Sequence, residues 1–425
     1  MKTWVLAALL VLGLSPAAAA APIAWVQMTA DGAQVRAVAD GGDCPRLKTD
    51  GKSRRMSLRA APDEAFANRI CQAPLPKGAK RASLAGADLP LPKAAPRRLV
   101  ILGDSGCRLR GPFVQSCNDP VNGWPFARVA QLAAARKPDL VIHVGDYYYR
   151  ETPCPPDKAA LCGGSPYGDK WPSWKAELFD PAASLLAAAP WVFARGNHED
   201  CARGGKGWFR LLDADPKTRT CPARSDTFLV PIGGVTLGVV DSADPDDTIV
   251  QPDQVAAFGE GLKVLAAAKG PVWLVTHRPL WGIFRTPAGL VDTGGNANER
   301  QAVRAHGLGP TELILAGHLH TLFSVDFGPG KPGQLVVGTG GDSLDSDTAA
   351  AGLTATVPVD GAAASVFDMD RFGYFVLDRV GQVHGKGPHE KGERADDWAG
   401  VFRDLSDKVV ARCTLHAGRL ACQAA

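Results

Sequence analysis

No Cys-x-x-Cys pair occurs in the sequence, although it holds ten cysteines in 425 residues. That absence argues against a zinc ribbon and against a thioredoxin-like redox site. No segment beyond the first twenty residues reaches the roughly 18 to 20 uninterrupted apolar residues that a spanning helix needs, so no stable membrane insertion is expected. An excess of one charge is lacking too: 47 Lys and Arg face 44 Asp and Glu, for a net charge of +3. The one local basic cluster, Lys52, Arg54, Arg55 and Arg59, reads as a solvated patch, so nucleic acid is not an expected partner. There is neither an internal repeat nor a low-complexity array. With 45% hydrophobic and 21% charged residues, the chain has an ordinary globular composition and ample length for a well-buried core.

The first residues carry a targeting pattern. Lys2 supplies a positive end, Val5 to Leu14 an apolar stretch, and Pro16 to Ala21 a small-residue region. Residues 1–20 are expected to be a signal peptide, cut after Ala20, since a cut after Ala21 would leave Pro22 just past the scissile bond. A periplasmic or secreted location follows. The even cysteine count agrees with it, and sequence-local pairs suggest themselves: Cys44 with Cys71, Cys107 with Cys117, Cys154 with Cys162, Cys201 with Cys221, and Cys413 with Cys422.

Residues 22–95 contain short β-like runs between polar and glycine-rich turns and end in the proline-rich Leu89 to Pro96, which reads as a small β-rich domain and a linker. From residue 97 to 425 the pattern becomes α/β. Strands are expected at Leu99–Leu102, Leu140–Val144, Trp191–Ala194, Val272–Val275 and Leu313–Leu315, and helices near Phe126–Arg136, Pro181–Ala189 and Gln254–Ala268. A hairpin is expected around Gly233-Gly234. Tyr147 to Ser173 forms a long insertion rich in Pro, Gly and Cys.

The predicted strands share one property: each ends in a side chain able to bind a metal. In order these are Asp104, Asp146, Asn197, His277, and then His318 with His320. Open α/β sheets place ligands outside the carboxyl ends of their strands, so residues scattered in sequence can converge there. Glycines before Asp104, Asp146, Asn197 and His318 suit tight turns with close backbone approach. Residues two apart on an extended segment face one side, so His318 and His320 can aim at one pocket. A single Asp after a strand is usually a turn residue. Five such elements in series are not explained that way.

The series resembles the calcineurin-like metallophosphoesterases, and among them the purple acid phosphatases, over about residues 97–341. The matching segments are Gly103-Asp104-Ser105-Gly106, Gly145-Asp146-Tyr147-Tyr148-Tyr149, Gly196-Asn197-His198-Glu199, Leu274-Val275-Thr276-His277 and Gly317-His318-Leu319-His320. The wider superfamily usually carries a histidine where Gly106 stands, and Tyr149 falls where the purple subgroup has a tyrosinate. The resemblance implies a sandwich of two mixed β-sheets flanked by helices, with the N-terminal β-rich domain seated on it. It implies one metal held by Asp104, Tyr149 and His320, a second held by Asn197, His277 and His318, and Asp146 bridging them. The hard anionic set suits iron, and the Asn and imidazole set a divalent Fe, Zn or Mn. Tyr147 and Tyr148 adjoin Tyr149, so an aromatic lid is an alternative reading of that tyrosine.

By the same resemblance His198 faces the substrate, where it would protonate the leaving alkoxide or stabilise charge on the phosphoryl oxygens. Glu199 either orients that ring or lies at the surface. His143 reads as a core histidine, and Arg278, Trp281, Tyr148 and Arg150 as local structure or pocket lining. Gly338-Thr339-Gly340-Gly341 resembles a glycine turn of the purple acid phosphatases. The function expected is an exported two-metal phosphatase that hydrolyses small phosphomonoesters by attack of metal-bound hydroxide. The alternatives are a phosphodiesterase acting on nucleotides or phospholipid headgroups, a non-catalytic iron-binding or redox protein, and an adhesion or cell-wall module centred on residues 22–95.

Overall fold

The computed structural model describes residues 22–217, 220–345, 351–380 and 397–425. The targeting segment, residues 1–20, lies outside the described residues.

Two mixed sheets face each other. The first has eleven strands with Arg98–Leu102, Leu140–His143 and Trp191–Phe193 side by side and parallel near its centre. The second has eight, with Thr236–Val239, Val272–Val275, Thr311–Ala316 and Gly333–Val337 parallel in that order. Because side chains alternate along a strand, each central strand feeds two cores. Leu99 and Ile101 join Trp273 and Val275 in the layer between the sheets. Val100 and Leu102 point outward to the helices Phe126–Ala135 and Ala183–Ala188. Val272 and Leu274 likewise meet the helix Pro252–Ala266 on the far side. Strands buried on both faces read as unbroken apolar runs, the pattern of Leu-Val-Ile-Leu at 99–102. The fold is therefore the expected sandwich of two mixed sheets flanked by helices.

The expected elements appear at Arg98–Leu102, Phe126–Ala135, Leu140–His143, Ala183–Ala188, Trp191–Phe193, Pro252–Ala266, Val272–Val275 and Thr311–Ala316, with boundaries shifted by a residue or two. The hairpin forms from Phe228–Pro231 and Thr236–Val239, turned by two positive-φ glycines, Gly233 and Gly234. All five expected disulfides are present, and no cysteine is free.

The N-terminal segment is β-rich: Arg46–Thr49, Lys52–Arg55, Ala82–Leu84 and Ala87–Asp88 form a four-stranded sheet of their own, while the other strands join the large first sheet. Ile23–Thr29 pairs with Gly32–Ala39 and also lies parallel to Trp191–Phe193, through Gln27 and Trp191, so it prolongs the eleven-stranded sheet. Arg36 donates to the carbonyls of Leu211 and Asp213, and Gln27 to that of Leu212. Arg59 departs from the expected solvated patch: it is 7% exposed and its guanidinium donates to the carbonyls of Phe209, Arg210 and Asp215. Lys52 to Arg55 are exposed as expected. Among the described residues no helix is long and apolar enough to cross a membrane.

Candidate metal centre

The carboxyl ends of five parallel strands, three from the first sheet and two from the second, open at one edge of the sandwich. Beyond these strand ends lie Asp104, Asp146, Asn197, His277 and His318 in turn, two to four residues past the last strand position. Asp104, Asp146 and His318 hold left-handed backbones with φ of 54°, 59° and 72°. Asp and His tolerate this region better than most residues, at a cost of about 1–3 kcal/mol each. Glycines before the donors serve close approach: a Cβ on Gly196, which precedes Asn197, would collide with Asp146 Oδ1, and one on Gly317, which precedes His318, with Asp104 Oδ2.

Around Asp146 the donor atoms form two sets. In the first, Tyr149 Oη lies 2.9 Å from Asp146 Oδ2, 3.2 Å from Asp104 Oδ1 and 3.0 Å from His320 Nε2. In the second, Asn197 Oδ1 lies 2.9 Å from His277 Nε2 and 2.7 Å from His318 Nδ1, while His277 Nε2 is 3.2 Å from Asp146 Oδ2. One metal-binding atom from each of Asp146, His277 and His318 lies within 4.8 Å of the others. Cations bound at 2.0–2.2 Å keep adjacent donors about 2.8–3.5 Å apart, so both sets have the spacing of a ligand shell. Asp146 Oδ2 belongs to both.

The outward ring atoms agree with that use. His277 Nδ1 meets Val144 O at 2.9 Å and His320 Nδ1 meets Ser343 O at 2.7 Å, so each donates outward and turns the lone pair of its Nε2 inward. His318 is reversed: its Nε2 faces Asp247 Oδ2 at 3.0 Å, leaving Nδ1 for the pocket. Burial disfavours charge on His277, yet the Asp146 carboxylate outweighs it and lifts the imidazole to about 9. Burial likewise opposes charge on His320, but Asp342 and Asp104 raise it to about 10. Burial and then the Asp146 and Asp104 carboxylates push the Tyr149 phenol well above its usual value. Clustered carboxylates thus keep their neighbours protonated, and bound cations would relieve the same surplus of negative charge in place of those protons. The residues fit a pair of metal ions.

Of the three adjacent tyrosines, Tyr149 alone turns its hydroxyl into this cluster. Tyr147 Oη donates to Ala194 O and Tyr148 Oη to Arg150 O. A Cβ on Gly106 would come within 2.6 Å of the Tyr149 ring, so that ring occupies the space a larger residue at 106 would need.

His198 packs on Tyr149 with ring centroids 3.9 Å apart and planes tilted by 31°, its Nε2 is 4.0 Å from Asp146 Oδ2, and its Nδ1 is 2.6 Å from Glu151 Oε1. Glu199 orients backbone instead of that ring, and it is fully buried, not at the surface. Its oxygens accept from the amides of Asp146, Tyr147, Tyr148 and Gly196, tying two motif turns together. Burial and the nearby Asp146 raise its acid to about 8. His143 is a buried core histidine: it meets Ser105 Oγ at 2.9 Å, stacks on Tyr147, and is held well below its usual value by burial. Tyr148, Arg150 and Trp281 are buried in local packing, whereas Arg278 lies at the site, 3.1 Å from His318 Nε2.

Several residues at the site carried no sequence signal. Glu151 faces His198, and Arg203 Nη1 lies 3.8 Å from Glu151. Asp247 holds His318 and Arg278 together. Arg108 binds Asp342 and lies over the Tyr149 ring, 3.4 Å from His320 Nδ1. The glycine turn before Asp342 was visible in the sequence, and it packs on the first motif, with Gly340 N donating to Gly103 O and Asp342 N to Asp104 O.

Two solved structures share this architecture. Purple acid phosphatase PPD1 from seeds of yellow lupin (Lupinus luteus) is 14% identical, with 95% of this chain and 74% of that one covered at a TM-score of 0.51. PhoD is 10% identical, with 97% and 94% covered at a TM-score of 0.57. At these identities the likeness concerns the fold. No curated protein sequence matches the chain. Residues 97–322, over half of the chain, match the calcineurin-like phosphoesterase family. That family works through a dinuclear metal centre, and the chain belongs to it as a metal-dependent phosphoester hydrolase.

Proposed function

We propose that the protein is an exported phosphomonoesterase of the purple acid phosphatase type, transferring the phosphoryl group of small esters directly to water. The observation that carries this reading is the pair of donor sets sharing Asp146 Oδ2. Asp104, Tyr149 and His320 would hold one cation, iron by the hardness of the set, and Asn197, His277 and His318 a divalent Fe, Zn or Mn. When bound, the cations supply Lewis acidity, lowering the pKa of water and neutralising phosphoryl oxygens.

The remaining chemistry belongs to the chain. His198 is the acid that protonates the departing alkoxide, and Glu151 at 2.6 Å holds its ring from the far side. Arg108 beside His320 and Arg278 beside His318 flank the donor pair; each also pairs with a carboxylate, Asp342 and Asp247, and can turn its remaining N–H groups to phosphoryl oxygens. The five disulfides fit an oxidising compartment, which supports export.

The test is to assay p-nitrophenyl phosphate against its bis ester after removing the metals and restoring Fe, Zn or Mn. Monoester turnover that returns with two metals per chain supports the reading. Preference for the bis ester makes the protein a diesterase, and bound iron with no turnover on either makes it an iron-binding or redox protein.

A further inference from the structure

A buried carboxylate that belongs to neither donor set joins the turns of the first two motifs. Glu177 is fully buried; its Oε1 accepts from Tyr149 N at 3.0 Å and its Oε2 from Cys107 N at 2.7 Å. Arg150, itself buried, faces Oε1 at 3.5 Å and lies over the ring of Trp124, whose Nε1 donates to Ser105 O at 2.9 Å. The cluster thus closes around the turn that carries Asp104. Glu177 comes from outside both motifs. It lies in the π-helical turn Lys175–Phe179 that continues the helix Trp171–Trp174, where the long insertion returns to the core. Turns of this kind are rare and recur at functional sites.

The contacts converge on one residue. The carbonyl of Tyr149 accepts from Leu109 N at 2.9 Å, so with Glu177 on its amide the backbone at 149 is held on both sides. Cys107 is held by Glu177 and by its disulfide to Cys117, and Gly106, whose open face admits the Tyr149 ring, directly precedes it. A buried carboxylate costs stability that an apolar side chain of the same size would not. We propose that Glu177 is a positioning residue for the first donor set: by holding the amides of Cys107 and Tyr149 it fixes where the phenol oxygen stands against Asp104 and Asp146. The proposal rests on the assignment of Tyr149 as a ligand. A ligand shell needs its donors held to within about 0.5 Å, and a phenol at the end of a long side chain meets that demand only if its backbone is fixed.

The test uses the full chain with ferric iron as the probe, reading its affinity and its visible charge-transfer band. Glu177→Gln keeps the shape, but its single carbonyl oxygen can face only one of the two amides while its NH2 meets the other. It is expected to lower iron affinity about tenfold and to shift or weaken the band, with the metal on the His277 and His318 side kept. A double-mutant cycle with Tyr149→Phe separates positioning from a general loss of stability. In that background Glu177→Gln should change iron affinity by less than about twofold, because the oxygen it places is already gone. Glu177→Asp keeps the charge beside Arg150 and withdraws it by one methylene; it should give the same loss in smaller measure, and it serves if Glu177→Gln does not fold. Parental affinity and band in the Glu177 variants, or an equal loss with and without the Tyr149 hydroxyl, overturns the proposal and leaves Tyr149 a ligand. Parental affinity and band in Tyr149→Phe itself overturns the ligand assignment, and this proposal with it.

Discussion

The ring of Tyr149 fills the volume in front of Gly106, leaving 2.6 Å between its Cδ2 and the place where a Cβ at 106 would stand. The two positions are therefore one decision. A residue with a side chain at 106 expels the tyrosine, and a glycine there admits it beside Asp104 and Asp146. On the proposed ligand assignment, the phenol arriving from the second motif would stand in for the histidine that the wider superfamily carries where Gly106 stands here.

Tyr149→Phe keeps the ring and removes the oxygen. The expected outcome is a folded protein whose affinity for one metal falls on the order of 10–100-fold, with loss of any visible charge-transfer band. Gly106→Ala should give the same spectroscopic loss by displacing the ring. A variant Tyr149→Phe that keeps both metals and its colour would remove the tyrosine from the ligand set.

His198 and Glu151 make separable contributions. His198→Ala should lower kcat by about 10²–10³-fold while two metals stay bound, because the ring touches Asp146 only at 4.0 Å. Glu151→Gln keeps the shape and removes the charge facing the ring. It should lower kcat by about tenfold with KM little changed, since Glu151 acts through His198. A KM effect without a kcat effect would mean that Glu151 meets substrate instead.

Asp247 orients one imidazole from outside the pocket. With Nε2 of His318 engaged at 3.0 Å, Nδ1 is the atom left for the pocket. Asp247→Asn can present an amide N–H to that ring and favour the wrong tautomer. Metal analysis should find the His277 and His318 side weakened by about 10–100-fold while the Tyr149 side is kept. Equal depletion of both sides would contradict this division.

How far the sequence reveals the site follows from what each residue must satisfy. Asp104, Asp146, Asn197 and His318 were legible because left-handed turns or close approach demand a glycine before each, so those motifs are short and local. Disulfides spanning 8 to 27 residues were legible for the same reason. Glu151, Arg203, Asp247 and Arg108 were not. Each is a charged residue in a loop, indistinguishable by type from a solvated one, and their partners stand far away in sequence, as with Arg108 and Asp342 at a separation of 234. The β-rich character of residues 22–95 was plain, but its attachment was not: the pairing of Gln27 with Trp191 is non-local and leaves no periodicity.

Asp169 offers a test of the fold apart from the site. It closes the long insertion by accepting from Trp174 Nε1 at 2.8 Å and Gly207 N at 3.0 Å. Burial outweighs those hydrogen bonds and raises its acid to about 6. A raised carboxyl means that the folded state holds its proton longer than the unfolded chain does. The resulting stabilisation is complete below about pH 4 and is lost as pH rises through about 6. Asp169→Asn keeps an acceptor for Trp174 and Gly207 and carries no charge to bury. The variant should match the parent near pH 4 and exceed it at pH 7.5 by on the order of 1–3 kcal/mol, read by denaturant melts at both pH values. A variant less stable than the parent at pH 7.5 would mean that the ionised carboxylate gains more from Trp174 and Gly207 than burial costs it.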